Sequence, residues 1–217
     1  MARKKTSRLS RGVFVTFEGI DGSGKTTQAK LLYRALKKDG WPAVLLREPG
    51  GTKVAEKLRQ ILLQEKPEPI SFRAEILLYV ASRAQLVEQK IKPALKAKKL
   101  VICDRYVDST TAYQAYGRGF DPGWVEKLNR WGSSEILPEI TFLIDVPVKI
   151  GLARKKGKLL DRLEREGKSF EKKVHQGYHL LAKKHRRIRI MDGTPPASEV
   201  ARKVKKVMDD YLKRVEK

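Results

Sequence analysis

The stretch that decides the fold is FVTFEGIDGSGKTT, residues 14 to 27. Its central part, GIDGSGKT, matches the phosphate-binding pattern G-x-x-x-x-G-K-[ST] at every fixed position. The apolar run 13–17 in front of it predicts a β-strand, and apolar residues recur at helical spacing after it. Glycine-rich backbone followed by a helix N-terminus suits an anion, so we predict a nucleoside triphosphate site.

Different side chains of this loop are expected to contact different parts of a bound triphosphate. Lys25 can reach the terminal phosphates, and the hydroxyl of Thr26 can bind Mg²⁺. The residues that we expect to surround the triphosphate are Gly19, Ile20, Asp21, Gly22, Ser23, Gly24, Lys25, Thr26 and Thr27.

Short apolar runs alternate with helical patterns along the rest of the chain. Further strands are predicted at residues 43–46, 100–103, 140–144 and 188–191. This alternation predicts an α/β fold with a five-stranded parallel sheet flanked by helices. Ser71 is a plausible N-cap for one of these helices, and Pro93 should kink or end it.

The chain is strongly basic, which bears on its partners. Its 217 residues include 48 Lys and Arg against 25 Asp and Glu, a formal net charge of +23. That charge alone favours a polyanion, but the basic residues are spread out and lack the interleaved aromatic residues of a single-strand-binding surface. We therefore do not expect nucleic acid as a partner, and phosphate-rich small substrates explain part of the excess.

The sequence carries no targeting or membrane signal that we can identify. No apolar run approaches the roughly 18 residues of a membrane span, and the basic N-terminus leads into a strand rather than a secretory segment. We therefore expect a cytoplasmic protein with no membrane partner. The single cysteine, Cys103, is interpreted as a core residue. The histidines His175, His179 and His185 are interpreted as helix-surface residues, too scattered for a metal site.

Five motifs stand out along the chain. They are FEGIDGSGKTTQAKLL (17–32), REPGGT (47–52), YVASRAQ (79–85), DRYVDSTTAYQAYGRG (104–119) and the basic segment after Ala153. In their order and spacing they resemble the motifs of bacterial thymidylate kinases, and the resemblance covers the whole chain apart from the first 12 residues. The resemblance implies a P-loop nucleoside monophosphate kinase fold, transfer of the γ-phosphoryl group of ATP to dTMP with Mg²⁺, and a homodimer.

The resemblance also implies an acceptor site. It places Arg105 on the phosphate of dTMP, Arg83 at the thymine base and Tyr79 stacked on that base, and it puts Tyr113 under the deoxyribose. The full set of expected substrate-binding residues is Glu48, Tyr79, Arg83, Arg105, Ser109, Tyr113 and Gln114. Asp21 corresponds to a carboxylate that contacts the acceptor.

Asp104 stands at the carboxyl end of a predicted strand, where ligands of parallel sheets collect. Two interpretations stay open: a carboxylate that holds Mg²⁺ together with Thr26, or an ion-pair partner of Arg105.

The domain organisation follows from the same comparison. We expect a basic tail over residues 1–12 and one kinase domain over 13–217, with a mobile, basic lid at about 154–169. The P-loop has Gly22 and Ser23 where family members resembling the human enzyme have an arginine. A transition-state arginine should therefore come from the lid. The expected catalytic residues are Lys25, Arg105, Asp21, Arg154 and Arg162.

Two other functions stay open on the sequence alone. A kinase for another nucleotide or deoxynucleoside could share this fold and would differ in the acceptor that consumes ATP. A P-loop NTPase acting on nucleic acid would use the net charge of +23 directly. Such an NTPase would have no need of the TTAYQ and REPGGT motifs.

Overall fold

One parallel sheet forms the centre of the protein. The computed structural model describes residues 9–64, 68–157, 159 and 161–215. The strands are β1 (Val13–Glu18), β2 (Ala43–Arg47), β3 (Leu100–Asp104), β4 (Ile140–Asp145) and β5 (Ile188–Asp192). They lie in the order β2-β3-β1-β4-β5, and every neighbouring pair is parallel. This arrangement confirms the predicted α/β fold.

Helices connect the strands and cover both faces of the sheet. They are α1 (Lys25–Lys38), α2 (Lys53–Leu63), α3 (Phe72–Leu86), α4 (Lys92–Lys96), α5 (Val107–Thr110), α6 (Pro122–Gly132), α7 (Val148–Lys155), α8 (Gly167–Lys184) and α9 (Ala197–Val215). A π-helical turn, Val87–Ile91, joins α3 to α4, and a second, Thr111–Gly117, extends α5. None of the described helices has both the length and the hydrophobicity needed to span a bilayer.

The helix that follows Ser71 begins as predicted, and its regular α-helical part, α3, ends at Leu86, before Pro93. The Ser71 hydroxyl accepts a hydrogen bond from the Ala74 N–H at 3.2 Å and so caps α3. Pro93 lies in the first turn of α4, directly after a π-helical turn. The π-helical turn changes the backbone hydrogen-bond pattern just before Pro93, where the Lys92 N–H donates to the Val87 carbonyl, and the helical run continues to Lys96.

Alternation along β1 gives its two faces different chemistry. Val13, Val15 and Phe17 pack with α1 and α9 in one apolar cluster. The opposite face carries Phe14, Thr16 and Glu18, all buried. Two of these three side chains are polar, so this face delivers a buried carboxylate to the carboxyl end of the strand.

The first described residues belong to the body of the protein. Leu9 is buried in the cluster that contains α1 and α9, and the Ser10 hydroxyl donates to the carbonyl of Val215 at 3.0 Å. Gly12 lies against the backbone of Leu95, where a Cβ would come within 2.4 Å of the carbonyl oxygen. The predicted tail therefore includes four residues, 9–12, that pack on the fold, and its first eight lie outside the described residues. Cys103 is buried, as expected.

Candidate active site

The P-loop links β1 to α1 through glycines with positive φ and without a side-chain cap on the helix. Gly24 is the N-cap of α1 with φ 97°, and no side chain caps the helix. Gly22 has φ 78°, and a Cβ there would come within 2.2 Å of the Gly151 carbonyl oxygen. Glycine is favoured at both positions by the positive φ, and at Gly22 a side chain would also clash. The uncapped helix end leaves N–H groups available to a phosphate.

Two cavities open beside the P-loop. One, of about 460 Å³, is lined by the P-loop, by Arg154 and Lys155 of α7, and by the loop after β5, including Gly193 and Pro195. We call it the donor cavity. The other, of about 300 Å³, lies over the carboxyl ends of β1, β2 and β3 and is called the acceptor cavity. Both lie in the size range of small-ligand sites.

The two cavities meet at the P-loop. Asp21, Lys25, Thr26 and Glu164 line both of them. All seven residues that the sequence assigned to substrate binding line the acceptor cavity or its wall: Glu48, Tyr79, Arg83, Arg105, Ser109, Tyr113 and Gln114. Topology explains why Glu48 and Arg105 meet, because they follow β2 and β3, whose carboxyl ends lie at one edge of the sheet. Tyr79 and Arg83 come from α3, and Tyr113 and Gln114 come from the second π-helical turn.

Arg105 is the centre of a charge cluster at this junction. Its guanidinium donates to Asp21 Oδ1 at 2.5 Å, to the Ser109 hydroxyl at 3.0 Å and to the hydroxyls of Tyr113 and Tyr178 at 3.2 Å each. Lys25 Nζ also donates to Asp21 Oδ1, at 3.0 Å. Burial by itself raises the pKa of Asp21, but the charges of Arg105 and Lys25 outweigh it and hold the pKa well below its usual range. Asp21 is therefore ionised and holds both cations in place.

The backbone at Arg105 is strained. Its φ is 70°, in the left-handed region that side chains other than glycine rarely adopt. Its N–H donates to the carbonyl of Phe17 at 2.9 Å, which fixes the residue against β1. Strain of this kind persists where the surrounding structure enforces it, and here it directs the guanidinium to the cavity junction.

Glu18 is a buried carboxylate next to the site that sequence reasoning missed. It is fully buried at the end of β1 and accepts from the Tyr106 N–H at 2.7 Å, the Ser109 hydroxyl at 2.5 Å and the Tyr178 hydroxyl at 3.0 Å. Burial, helped by the negative charge of Asp108, raises the pKa of Glu18 to about 7. The alternation of β1 was the available signal, because it puts Glu18 on the inner face.

Arg83 is buried at the back of the acceptor cavity. Its guanidinium donates to Glu48 at 2.9 Å, to Asn129 Oδ1 at 2.6 Å and to the Thr110 hydroxyl at 2.7 Å. Burial raises the pKa of Glu48 to about 7, although the charge of Arg83 acts against this rise. One oxygen of Glu48, Oε1, is buried without a hydrogen-bond partner among the described residues. A polar group of a bound ligand could satisfy it.

The other predicted acceptor residues differ in their surroundings. Tyr79 lines the cavity and is half-buried, and burial raises the pKa of its hydroxyl. Gln114 also lines the cavity, but its side-chain amide donates to Glu75 Oε1 at 2.9 Å. This hydrogen bond to Glu75 connects the cavity wall at Gln114 to α3.

Asp104 and Thr26, the two residues predicted to hold Mg²⁺, are in contact with each other. The Thr26 hydroxyl donates to Asp104 Oδ2 at 2.5 Å, and Asp104 Oδ1 is buried without a hydrogen-bond partner among the described residues. Asp104 does not pair with Arg105 within the described part of the chain, since Arg105 pairs with Asp21. A hydroxyl beside a carboxylate with an unpartnered oxygen fits a hard cation that keeps part of its water shell.

The two candidate lid arginines lie in different places. Arg154 donates to the carbonyls of Gly22 at 3.4 Å, Ser23 at 3.3 Å and Gly193 at 3.0 Å, so it bridges the P-loop and the loop after β5. Arg162 donates to the Leu62 carbonyl at 3.0 Å and to Glu75 Oε2 at 2.5 Å. Of these two described residues, only Arg154 lines the donor cavity.

The predicted lid, 154–169, is only partly a loop. It starts within α7, Glu164–Glu166 forms a 3₁₀ turn, and α8 begins at Gly167. Lys158 and Leu160 lie outside the described residues. Lys155, which sequence reasoning did not single out, is buried beside the donor cavity with Glu164 at 3.4 Å and Glu171 at 3.6 Å. It adds a second cation to the Arg154 side of the cavity.

The interpretation of the histidines as scattered was wrong for two of the three. His175 and His179 lie four residues apart on one face of α8, and both Nε2 atoms point at Asp145 Oδ1, at 2.9 and 3.2 Å. His185 lies apart from them, 3.7 Å from Glu126. The i, i+4 spacing was the signal in the sequence, and Asp145 could not be paired with it before the fold was known.

Fold and site together define a class of protein. A parallel sheet carries a P-loop at the end of its central strand, and a second, arginine-lined cavity opens onto the same phosphate-binding residues. One cavity for a triphosphate and one for an anionic acceptor is the arrangement of a P-loop nucleoside monophosphate kinase.

Comparison with known proteins narrows the class. The family model described as thymidylate kinase matches residues 17–204. Thymidylate kinase of Fervidobacterium nodosum is 45% identical over 200 residues, covering 92% of this chain and 100% of that protein. Thymidylate kinase of Caldanaerobacter subterraneus subsp. tengcongensis is 47% identical over 204 residues, covering 94% and 98%. The crystal structure of thymidylate kinase from Ehrlichia chaffeensis superposes with a TM-score of 0.76 at 35% identity, covering 91% and 99%.

The chain belongs to the thymidylate kinase family. It is a phosphotransferase that uses ATP to phosphorylate dTMP in the synthesis of dTTP. The two alternatives left open by the sequence, another nucleotide kinase and a nucleic-acid-linked NTPase, are not favoured.

Proposed function

We propose that the γ-phosphoryl group of ATP passes to dTMP at the junction of the two cavities, where Asp21, Lys25 and Thr26 line both. This sharing is the observation that carries the proposal, because it lets the donor and acceptor phosphates meet in one place. Phosphoryl transfer depends mainly on positioning and on positive charge around the transferring group. The junction supplies both.

On the donor side, the P-loop holds the phosphates of ATP. Gly19, Ile20, Asp21, Gly22, Ser23, Gly24, Lys25, Thr26 and Thr27 form this cradle. Lys25 binds the terminal phosphates, and Asp21 holds its ammonium group until the nucleotide arrives. Arg154 already bridges the P-loop to the loop after β5, so we assign it the transition-state role expected of a lid arginine.

On the acceptor side, Arg105 binds the phosphate of dTMP. A guanidinium presents parallel N–H donors to a phosphate, and Asp21 and Ser109 hold this one in a fixed orientation. Asp21 is thus a positioning residue for both Lys25 and Arg105. The same carboxylate orders the cations on the two sides of the transferring group.

The nucleoside part of dTMP fills the rest of the acceptor cavity. Tyr79 stacks on the thymine, and Arg83 with Glu48 meets the polar edge of the base, where the unpartnered Glu48 oxygen lies. Tyr113, whose hydroxyl is fixed by Asp21 at 3.0 Å, lies under the deoxyribose. Ser109 and Gln114 complete the wall.

Thr26 and Asp104 hold Mg²⁺. Their hydroxyl and carboxylate oxygens are the ligand types that Mg²⁺ prefers, and the free oxygen of Asp104 fits contact through water. When bound, the ion supplies positive charge to the phosphates of ATP. The chain's own contribution is to hold Asp104 rigid at the end of β3, next to the P-loop.

We further infer a homodimer in the cytoplasm. Large apolar side chains are exposed on the neighbouring helices α3 and α6, with Leu77 at 55% and Trp131 at 77% exposure. A second copy would cover such side chains, as the family resemblance implies. Light scattering of the wild type and of Leu77→Glu would test this, with a shift to monomer expected for the variant. We propose no nucleic-acid partner for this enzyme.

A coupled assay of ADP formation tests the proposed site. Wild type should form ADP with ATP and dTMP and much more slowly with other nucleoside monophosphates. Lys25→Ala should abolish transfer while dTMP still binds, because the lysine serves the donor phosphates. An active Lys25→Ala enzyme would overturn the donor assignment, and ADP formation driven by DNA or RNA without dTMP would overturn the acceptor assignment.

A further inference from the structure

A cluster of three metal-ligand side chains lies outside both cavities. Asp145 ends β4, and His175 and His179 occupy one face of α8. The ligand atoms of the three residues all lie within 4.8 Å of one another. Within the described part of the chain, no other set of three His, Cys, Asp or Glu side chains meets this condition. None of the three residues lines the donor or acceptor cavity.

Two of the three distances between ligand atoms are close to the edge length of a tetrahedral metal site. Zn²⁺ binds imidazole nitrogen and carboxylate oxygen at about 2.0 to 2.2 Å, which puts neighbouring ligands in a tetrahedral site about 3.3 Å apart. Asp145 Oδ1 lies 2.9 Å from His175 Nε2 and 3.2 Å from His179 Nε2. The ligand atoms of the two histidines lie within 4.8 Å of each other, and side-chain rotation would adjust this third distance around an ion.

The chemistry of the donors selects the kind of ion. Two imidazole nitrogens and one carboxylate suit Zn²⁺ and its neighbours Co²⁺ and Ni²⁺, whereas Mg²⁺ prefers oxygen ligands alone. In the tautomer protonated at Nδ1, each Nε2 offers a lone pair to the ion. The side chains of Asp145 and His175 are each 26% exposed and that of His179 is 36% exposed, so an ion can enter from solvent.

We propose that Asp145, His175 and His179 form a binding site for a Zn²⁺-type transition-metal ion. The site is separate from the Mg²⁺ site at Thr26 and Asp104. It leaves at least one coordination position for water, since three protein ligands are present.

The ion would connect α8 to the end of β4, and these two elements contact residues of different cavities. α8 carries Tyr178, whose hydroxyl contacts Arg105 and Glu18 in the acceptor site. The carbonyl of Asp145 accepts from the N–H of Gly193, in the loop that lines the donor cavity, at 2.7 Å. Metal binding therefore links α8 to the end of β4 and stabilises the folded state, because the unfolded chain does not hold the three ligands together.

Titration with Co²⁺ tests the site directly. Tag-free, nucleotide-free protein in excess Mg²⁺ should bind one Co²⁺ per chain with a visible absorption band, and Zn²⁺ should displace it. His175→Ala, His179→Ala and Asp145→Asn should each weaken binding by about tenfold or more. His185→Ala is the matched control, since it removes a histidine from the end of the same helix but outside the cluster, and its titration should equal that of wild type.

Thermal unfolding gives a second readout. Added Zn²⁺ should raise the Tm of wild type and of His185→Ala, and it should leave the Tm of the His175→Ala/His179→Ala double variant unchanged. Both substitutions are on a partly exposed helix face, so the double variant should fold. Absence of Co²⁺ binding by wild type, or equal binding by wild type and the double variant, would overturn the proposal.

Discussion

The two candidate lid arginines, Arg154 and Arg162, differ in the residues that they contact. Arg154 contacts carbonyls of the P-loop and lines the donor cavity, whereas Arg162 is bound to Glu75 and lines neither cavity. The sequence predicted that one of them acts on the transferring group but could not choose between them. The choice between the two arginines depends on how close the end of α7 lies to the P-loop. That distance is set by the tertiary structure and cannot be read from the local sequence.

Substitution of each arginine tests this assignment. At saturating ATP and dTMP, Arg154→Ala should lower kcat on the order of a thousandfold, the size of a transition-state arginine. Arg162→Ala should lower kcat far less, because its contacts are with Leu62 and Glu75 rather than the P-loop. If Arg154→Ala keeps kcat within about threefold of wild type, the assignment is wrong.

Tyr113 should make the enzyme select substrates with deoxyribose over substrates with ribose. Its ring is buried against Phe170 and Arg105, with ring centroids 6.0 Å apart in the first case. Tyr113→Ala should raise the ratio of ribo-TMP to dTMP activity, because truncation opens volume beneath the sugar. The two kcat/KM values for each enzyme give the ratio, and an unchanged ratio would remove Tyr113 from sugar selection.

Glu18 should make stability depend on pH near neutrality. Its pKa is raised from the ordinary value of 4.5 to about 7 by burial and by Asp108, so the fold favours the protonated form. Its contribution to the free energy of unfolding is therefore full at low pH and is lost as pH rises through about 7.

Urea unfolding of wild type and Glu18→Gln between about pH 5 and pH 8 measures this contribution. The stability of wild type relative to the variant should fall on the order of 2 kcal/mol across that range. A difference that is constant with pH would show that Glu18 does not titrate there.

At the scale of elements, the buried carboxylate of Glu75 connects α3, the second π-helical turn and the lid segment. Glu75 of α3 is fully buried and accepts from Gln114 in the second π-helical turn, from Arg118 after it and from Arg162 in the lid segment. Burial raises the pKa of Glu75, but hydrogen bonds from Arg118 and Gln114 outweigh it, and the pKa lies below its usual value. Glu75 thus holds the acceptor wall and the lid segment on α3.

Removal of this carboxylate should be costly. Glu75→Ala leaves the buried Arg118 with one partner fewer and should lower the free energy of unfolding by about 3 kcal/mol or more. Glu199→Ala is the control, since its pair with Lys203 is exposed and should contribute less than about 1 kcal/mol. Equal losses in the two variants, measured by urea unfolding, would contradict the role of Glu75.

The sequence predicted elements better than it predicted partners. All five strands and the P-loop helix follow from local periodicity, which is a property of neighbouring residues. Glu75 was placed in the first turn of its helix, but its burial against Arg118 and Arg162 depends on segments 43 and 87 residues away. Pro93 shows a further limit, because the π-helical turn that precedes it has no sequence signal that we recognise.

For the whole molecule, topology converts separated motifs into one site. β1, β2 and β3 are neighbours in the sheet, so the P-loop, the REPGGT loop and the Asp104–Arg105 pair meet at one edge. Family resemblance supplied the roles expected of those motifs, and the structure supplies the network of Asp21, Lys25 and Arg105 between them. The net charge of +23 is not explained by this site alone.

The most direct test of the account is kcat/KM for dTMP in wild type, Arg105→Ala and Arg186→Ala. Arg105 lies at the junction of the cavities, whereas Arg186 is an exposed arginine that lines neither of them. Loss of a charge-assisted contact to the acceptor phosphate should lower kcat/KM of Arg105→Ala by about a hundredfold or more and leave Arg186→Ala near wild type. An Arg105→Ala enzyme that folds with an unchanged Tm and retains wild-type kcat/KM for dTMP would contradict phosphoryl transfer at this junction.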